Sequence, residues 1–578
     1  MKNVSKFINL LPVQALLSSA LALVSAFSIY NYWGNKFLIW HPLFLLSVLP
    51  FYWLYKKYKL EKSRPVIIAS AILSLFFTVL LTLSLEVYLS SYSPIGSYAR
   101  LLVTILGVYI LFFYFFNFLF GKILESTLFT KKKRMFNKKV FFVSWVAILL
   151  SWVPYLVAFY PAIMSPDSID QWMQATGLSG LSNHHPVAHT LLIRFTTFAF
   201  DGAPIGYTIF QMLFLSAVMA FIVSWLYKWG LKRGWLYLTF IFFALHPLNA
   251  MYSLTIWKDV IFGALLGLLT LVFAEFILSK GESADKKSWL LALLVFSLGV
   301  LFFRNNGIYI FLPTAGLLIT VLKKNRIRVG VILLVVTAIY FIVTGPIFSH
   351  YNIRKSSLTE SLGIPIQQVA RVVFDNGEIS EGDEVLISAV IPLSDIRANY
   401  TTAGVDPIKF HKNFKISVVK DNMSTYFSLW GRLLVDNPRV YVSAYLDATR
   451  GFWDPLSRNW STYYSIYGNN YDLEQAKVFP EYSNLVEKAV GVTCWWLPFY
   501  PFWSGANLNY IMIVACVIML LRKSYRNIAV VSPAILNWGT LMIATPIATS
   551  TRYIYGSFII LPIVIFMAVY EEKNGGTE

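Results

Sequence analysis

Cysteine is almost missing from this chain: there are two in 578 residues, Cys494 and Cys516. Cys516 lies inside an apolar stretch, so the pair supports neither a disulfide framework nor a thiolate metal site. The redox compartment stays open. Charge is scarce as well. Charged residues make up 13% of the chain, against 57% hydrophobic and 17% aromatic, and mean hydropathy is +0.61. A soluble domain carries about twice that share of charge, so the soluble globular class is excluded. Acids are the scarcer sign, 29 against 48 Lys and Arg, for a net charge of +19. Short-period repeats and low-complexity segments are also lacking.

What fills the chain instead is a series of apolar stretches of about 20 residues, each long enough to cross a hydrocarbon core of roughly 30 Å as a helix. Segments such as 331–343 are apolar on every face, which excludes the alternating strands of a membrane barrel. Hydropathy predicts spans near 10–30, 37–55, 65–90, 99–121, 140–161, 204–227, 236–255, 258–279, 288–304, 307–322, 329–348, 506–521, 527–546 and 553–571. That is fourteen. The first follows Lys2 and Lys6 and has no small-residue cleavage site, so it reads as a retained helix and not a signal peptide.

Lys and Arg fall mainly in alternate links: 56–64 (KKYKLEKSR), 122–139 (with KKKR), 228–234, 280–287, 323–328 (KKNRIR) and 522–526 (RKSYR). This alternation is the positive-inside pattern, with both termini cytoplasmic. It assigns the excess charge to orientation in a lipid bilayer, and nucleic acid is not an expected partner. Two links on the other side are too long to be connectors. One is the first outer loop, 162–203; the other, 350–505, is polar enough for a small extracytoplasmic domain, with helix-like runs at 365–374 and 382–390. The expected organisation is an accessory four-helix transmembrane bundle at 1–139, a transmembrane core at 140–349, the extracytoplasmic domain at 350–505, and three helices with a short cytoplasmic tail at 506–578.

Nearly every unusual polar residue follows position 161 and lies on the predicted outer side. In Ser165-Pro166-Asp167-Ser168-Ile169-Asp170, serine as N-cap, proline in the first turn and Gly177 as a stop predict a short helix. Asp167 and Asp170 are three apart and share a face, which suits a base aimed at a hydroxyl, or a cation site. Plain complementation of the helix dipole explains them equally well. His184, His185 and His189 cluster within six residues; no Glu or Cys stands at zincin spacing, so phosphate contact or interface packing are the readings. Asn249 follows His246-Pro247, and Lys258 and Asp259 open a helix. Arg304, Asn305 and Asn306 link two apolar spans. Arg304 and Arg552 are the outer cations that break the positive-inside pattern. A guanidinium fork at membrane depth suits a phosphate, while pairing with Asp167, Asp170 or Asp259 is the alternative. Tryptophans 430, 453, 460, 495, 496 and 503 crowd the second loop, as a membrane-interface belt or as faces for sugar rings.

The strings SPDSIDQW, NHHPVAHTLL, ALHPLN, LTIWKDVIF, FRNNGIY and IPIQQVARVV occur in this order. Together they resemble an uncharacterised family, largely of Gram-positive bacteria, assigned to the GT-C superfamily of membrane glycosyltransferases. The resemblance covers roughly residues 140–575 and leaves the first four spans aside. It implies an all-α polytopic membrane protein of about 14 transmembrane helices with a GT-C-like core, in which an acid of the first outer loop serves as base and cations hold the lipid phosphate. Carried over by motif, Asp167 or Asp170 is the catalytic acid. Arg304, Lys258, His184, His185 and Arg552 are donor phosphate ligands, supported by Asn249, Asp259, Asn305 and Asn306. The adjacent acid pair of many GT-C enzymes is absent, which leaves the choice of acid open, and with it dependence on a divalent metal, Mg or Mn.

The expected function is transfer of a sugar from a polyprenyl-phosphate-linked donor to an extracytoplasmic acceptor, a cell-envelope glycan or glycolipid. A transporter or flippase of lipid-linked saccharides would need the same lipid but polar residues near the bilayer midplane. A polysaccharide polymerase or ligase shares the substrates. A non-enzymatic scaffold would tolerate loss of both loop acids.

Overall fold

The computed structural model describes residues 52–53, 55–56, 60–89, 94–124, 133–356, 358–455, 457, 462–476, 478–495, 503–544 and 550–570. The candidate spans at 10–30 and most of 37–55, together with Trp460 and Trp496, lie outside the described residues. Among those described, regular structure is helical, with isolated parallel bridges only. Eight helices are long and apolar enough to cross a membrane, or nine if one bent pair is a single span. The expected spans at 288–304, 307–322 and 506–521 are apolar helices of under 18 residues, Lys287–Phe302, Gly307–Val321 and Gly505–Leu521. This is a helical multi-pass architecture, and two of the fourteen spans read from hydropathy lie wholly or mostly outside the described residues.

The chain divides into two compact units. The first comprises residues 1–128 with the short stretches 454–456 and 516–524. In it α1 (Arg64–Leu89) and α2 (Pro94–Leu124) pack side by side. Phe77 meets Phe112 and Phe116 at 5.5 and 5.3 Å between ring centres.

The second unit holds every candidate site residue from Asp167 to Arg552. Its helices include α3 (Lys138–Ala158), the short α4 (Pro166–Thr176) and α5 (Val187–Thr197), and α6 (Ile205–Lys228). There follow α7 (Arg233–Leu245), α8 (Pro247–Leu254), α9 (Lys258–Leu278), α10 (Lys287–Phe302), α11 (Gly307–Val321) and α12 (Arg326–Ile342). The expected span at 236–255 is interrupted: α7 and α8 meet at a 44° bend. The proline of His246-Pro247 cannot continue the α7 hydrogen bonds, and His246 caps α8 by accepting Leu248 N–H at 3.2 Å.

Residues 363–453 contribute α13 (Gly363–Phe374), α14 (Glu381–Val390), α15 (Met423–Asp436) and α16 (Pro438–Trp453), which extend the two helix-like runs by one or two residues. Ile366, Val369, Val373, Ile387, Leu429, Leu433 and Tyr441 form a hydrophobic core of their own there. The chain ends with α17 (Ile528–Ala544) and α18 (Tyr555–Val569).

Helix α9 is the axis of the second unit. It is buried along its whole membrane window, against α6, α10, α17 and α18. It touches α18 through backbone, since a Cβ on Gly263 would lie 3.0 Å from Gly556 N. One turn before this crossing stand Asp259 on α9 and Arg552 on the short 3-10 turn leading into α18, so the glycine contact sets the distance between two opposite charges. At the far end of α9, Glu275 accepts hydrogen bonds from Trp225, Trp229, Lys228 and Ser283, all between 2.7 and 2.8 Å. Four protein donors satisfy that carboxylate, which makes it a structural anchor.

Candidate functional site

The site begins with the way α4 is tied down. Residues leaving α3 run parallel to the segment before α9: Ile163 N–H donates to Leu254 O, and Ile256 N–H to Ile163 O, both at 3.0 Å. Ser165 then caps α4 in a reciprocal capping box with Ser168, Pro166 occupies the first turn, and Gly177 closes the helix in the left-handed conformation at φ 82°. The sequence signals for this helix are all present. Trp257 Nε1 donates to Ser165 Oγ at 2.7 Å, and Ser168 Oγ donates to Ile256 O at 2.7 Å. The first turns of α4 and α9 are thereby fixed against each other, and Asp167 faces Lys258.

Five charges meet there. Arg552 Nη2 lies 3.0 Å from Asp167 Oδ2, and Lys258 Nζ lies 3.7 Å from the same oxygen. Arg304 Nη1 lies 3.4 Å from Asp259 Oδ1, with Arg552 Nε 3.9 Å from Oδ2. Neither oxygen of the fully buried Asp259 makes a hydrogen bond, so ion pairing alone balances its charge. Arg304 Nη1 also donates to Tyr553 O at 3.0 Å. The Arg552 guanidinium lies over Trp257 and Tyr553, at 4.8 and 4.7 Å from the ring centres. Lys258, Arg304 and Arg552 against Asp167 and Asp259 leave one positive charge in excess. Burial works against ionisation of Asp167, but Lys258 and Arg552 outweigh it and hold the carboxyl well below the usual carboxylate range. Asp167 is an anion at any physiological pH.

Asp170 is separate from this cluster. Its Oδ2 accepts Gln174 Nε2 at 2.8 Å and lies 3.7 Å from His185 Nε2. His185 Nδ1 is 2.8 Å from Lys258 Nζ. Burial, and then the neighbouring ammonium, push the imidazole far below its ordinary value, so it is neutral.

A pocket of about 180 Å³ opens beside the cluster. Lys258, Arg304, His184, Asn305 and Asn306 line one side and Glu360, Gly363 and Lys409 the other, with Leu541 and Ala544 of α17 adding an apolar wall. Asn305 Nδ2 donates to Asn183 O at 2.9 Å and Asn306 Nδ2 to Thr540 Oγ1 at 2.7 Å, which joins the RNNG turn to the histidine loop and to α17. Gly307 permits that turn, because a Cβ there would lie 2.1 Å from Val300 O. Lys409 is held by Glu360 and Asp406, each at 3.0 Å.

Of the residues picked from sequence, His184, Lys258, Arg304, Asn305 and Asn306 thus line one pocket; Asp167 and Asp259 lie within ion-pair distance of its cations, and Arg552 pairs with those two acids. Two others are engaged elsewhere. Asn249 donates to Phe243 O at 3.0 Å and accepts from Tyr555 Oη at 2.9 Å, tying α8 to α7 and α18. His189 is fully buried between Gln171 and Tyr207, at 2.9 and 2.6 Å. Glu360 and Lys409 escaped the sequence reading: each is an ordinary charge in a polar stretch, and only the fold brings them to the pocket.

Among the described residues, no group of three or more His, Cys, Asp or Glu is placed to hold a metal ion. Asp167 and Asp259 are each flanked by two cations, so a divalent ion between them would meet Lys258, Arg304 and Arg552. This donor set does not fit Mg or Mn.

Residues 173–578, with Lys258, Asp259, Arg304, Glu360 and Arg552 among them, match the model of a family of unknown function, DUF6020. The chain belongs to that family. The match begins just beyond Asp167 and Asp170. No curated protein and no solved structure matches this member of DUF6020.

Proposed function

We propose that this protein is a GT-C type glycosyltransferase that moves a sugar from a polyprenyl-phosphate donor to a hydroxyl of a cell-envelope glycan or glycolipid on the extracytoplasmic side. The observation that carries the reading is the pocket in which Lys258 and Arg304 stand beside the apolar Leu541 and Ala544 of a membrane helix. A phosphate on a prenyl tail is an anion attached to a hydrocarbon, and this pocket pairs cations with an apolar wall. The resemblance to the GT-C superfamily adds the sugar, and the basic-link alternation adds the side.

In the chemistry proposed, the acceptor hydroxyl gives its proton to Asp167 as its oxygen bonds to the sugar's anomeric carbon. The bond from that carbon to the phosphate oxygen breaks, and the electron pair leaves with the polyprenyl phosphate. Lys258, Arg304 and the excess positive charge of the cluster stabilise the phosphate as its charge rises. Asp167 is ionised and so ready to accept; its low proton affinity limits its strength as a base.

The transporter reading expects ionisable groups near the middle of the membrane helices. Along α9 the charged residues are Lys258, Asp259 and Glu275, at its two ends, and the only polar side chain between them is Thr270, which donates to its own helix at Leu266 O. This favours chemistry at one membrane face.

The test is native mass spectrometry of detergent-solubilised protein with undecaprenyl phosphate. A one-to-one adduct that weakens at least about tenfold in Lys258→Ala is expected, since a charged hydrogen bond contributes about 1.5–3 kcal/mol. Wild-type protein that binds no undecaprenyl phosphate would end this reading.

A further inference from the structure

We infer that His185 and Asp170 are positioning residues that hold the Lys258 ammonium between Asp167 and the pocket, leaving Asp167 as the one reacting carboxylate. This rests on the proposed function for its ligand, and it settles which of the two loop acids does which task.

The geometry points to two hydrogen-bonded pairs, Gln174 with Asp170 and His185 with Lys258, that meet at a longer His185–Asp170 contact of 3.7 Å. Ser182 N–H donates to Gln174 Oε1 at 2.9 Å, which fixes the amide and sends Gln174 Nε2 to Asp170 Oδ2 at 2.8 Å. An ammonium has three donors and no acceptor, so at 2.8 Å from Lys258 Nζ the His185 Nδ1 must carry the lone pair. The ring proton is then on Nε2, and Nε2 faces Asp170 Oδ2 at 3.7 Å. The Lys258 hydrogen bond sets the tautomer, and the Asp170 charge at 3.7 Å favours the orientation that turns the Nε2 proton toward it. A carboxylate oriented toward an imidazole N–H in this way acts through the ring it orients.

Lys258 needs such a hold. It opens a helix at a buried position, lies 3.7 Å from Asp167 and faces Arg304 and Arg552 nearby, which repel it. One N–H is taken by His185, one side faces Asp167, and Lys258 also lines the pocket. A flexible four-carbon side chain among these charges would otherwise have several resting places. Asp170 cannot replace Asp167 in the cluster, because its only cationic contact among the described residues would be His185 in a protonated form, and the Lys258 contact excludes that form.

The experiment compares His185→Asn, His185→Gln and His185→Leu for undecaprenyl phosphate affinity, with the melting temperature of each. Asparagine carries an acceptor oxygen at the δ position, where Nδ1 stands; glutamine carries it one bond further. Asn should stay within about threefold of wild type, while Gln and Leu lose about tenfold or more, the worth of one charged hydrogen bond. A role in packing alone would follow side-chain size and not acceptor position. Asp170→Asn should weaken binding about threefold alone and add nothing in the His185→Leu background, as expected for residues acting in series. Wild-type affinity in His185→Leu, or an Asn variant no better than Leu, overturns the inference while the proposed function stands. If wild-type protein binds no undecaprenyl phosphate, the proposed function falls. The positioning claim is then read from amidination of Lys258 by methyl acetimidate, which should accelerate in His185→Leu and return toward wild type in His185→Asn; equal rates in all variants overturn it.

Discussion

Arg552 Nη2 reaches Asp167 Oδ2 at 3.0 Å, so the turn into the last membrane helix is joined by charge to the first turn of the short helix α4. The guanidinium is also 3.9 Å from Asp259 and lies over the rings of Trp257 and Tyr553. Replacing it with Ala leaves Asp167 with Lys258 alone and removes the ring contacts. Breaking one partner from a buried ion pair costs about 3–5 kcal/mol. Arg552→Ala should therefore lower the melting temperature clearly, with Arg552→Lys in between, because Lys keeps the charge and loses the plane. Equal melting points for Ala and wild type would show that this pair carries no stability.

Asp167→Asn and Asp170→Asn should separate in a purified transfer assay. Asn at 167 cannot take the acceptor proton and should lower turnover by about 10²-fold or more, the low end of general-base contributions. Asn at 170 leaves the base in place and should cost much less. Equal losses in the two variants would contradict the assignment.

Much of this site was legible as strings of residues. The Ser165 cap, Pro166 and Gly177 delimit α4 from local chemistry alone, and the break in positive-inside charge pointed to Arg304 and Arg552. What was not legible was pairing. Nothing local says that Arg304 would meet Asp259 while Arg552 took Asp167, because that depends on the Gly263–Gly556 crossing of two helices almost 300 residues apart in sequence. His189 and Asn249 show the reverse problem: each looks like a ligand in sequence, and each is consumed by buried hydrogen bonds that a hydropathy profile does not carry. Hydropathy also does not carry where a run bends: Pro247 turns the run at 236–255 into two helices, and the run at 307–322 forms a helix of 15 residues.

The pH dependence of stability between pH 7 and 5 should come in part from the fully buried His189, which burial pushes down to about 3, and in part from His185. The folded value of His185, pushed down to about 2, likewise lies below the unfolded value of about 6.5, so as pH falls the unfolded chain binds these protons first. The stabilisation is present above about pH 6.5 and is lost on acidification, by up to about 2 kcal/mol for each histidine at pH 5. Asp167 adds nothing in that window: its folded value is also depressed, so its contribution persists down to its unfolded value near 4 and fades only below it. Melting temperatures of wild type and His185→Asn at pH 7, 6 and 5 check this, and the slope should flatten in part in the variant. An unchanged slope would show that His185 does not contribute.

Topology has its own expected outcome. With Cys494 and Cys516 replaced, a single cysteine at position 380 should react with an impermeant maleimide in intact cells, and one at position 130 should react only after permeabilisation. The reverse pattern would put the Asp167 cluster on the cytoplasmic face and remove the extracytoplasmic acceptor.

Arg304 carries two duties that mutation can separate. Its Nη1 lies 3.4 Å from Asp259 and 3.0 Å from Tyr553 O, and the residue lines the pocket. Arg304→Ala should do two things at once: leave a buried carboxylate whose remaining cation is 3.9 Å away, and remove a fork from the phosphate side. A lowered melting point in this variant cannot tell a structural role from a binding one. Removing both partners can, because an ion pair replaced by two apolar groups often costs little or nothing in stability. The double variant Arg304→Leu with Asp259→Leu should therefore recover much of the melting temperature that Arg304→Ala loses. Its undecaprenyl phosphate affinity should stay low, by about 2 kcal/mol or more relative to wild type, with Arg304→Lys intermediate. If the double variant regains both stability and affinity, Arg304 serves only to neutralise Asp259 and the phosphate rests on Lys258 alone.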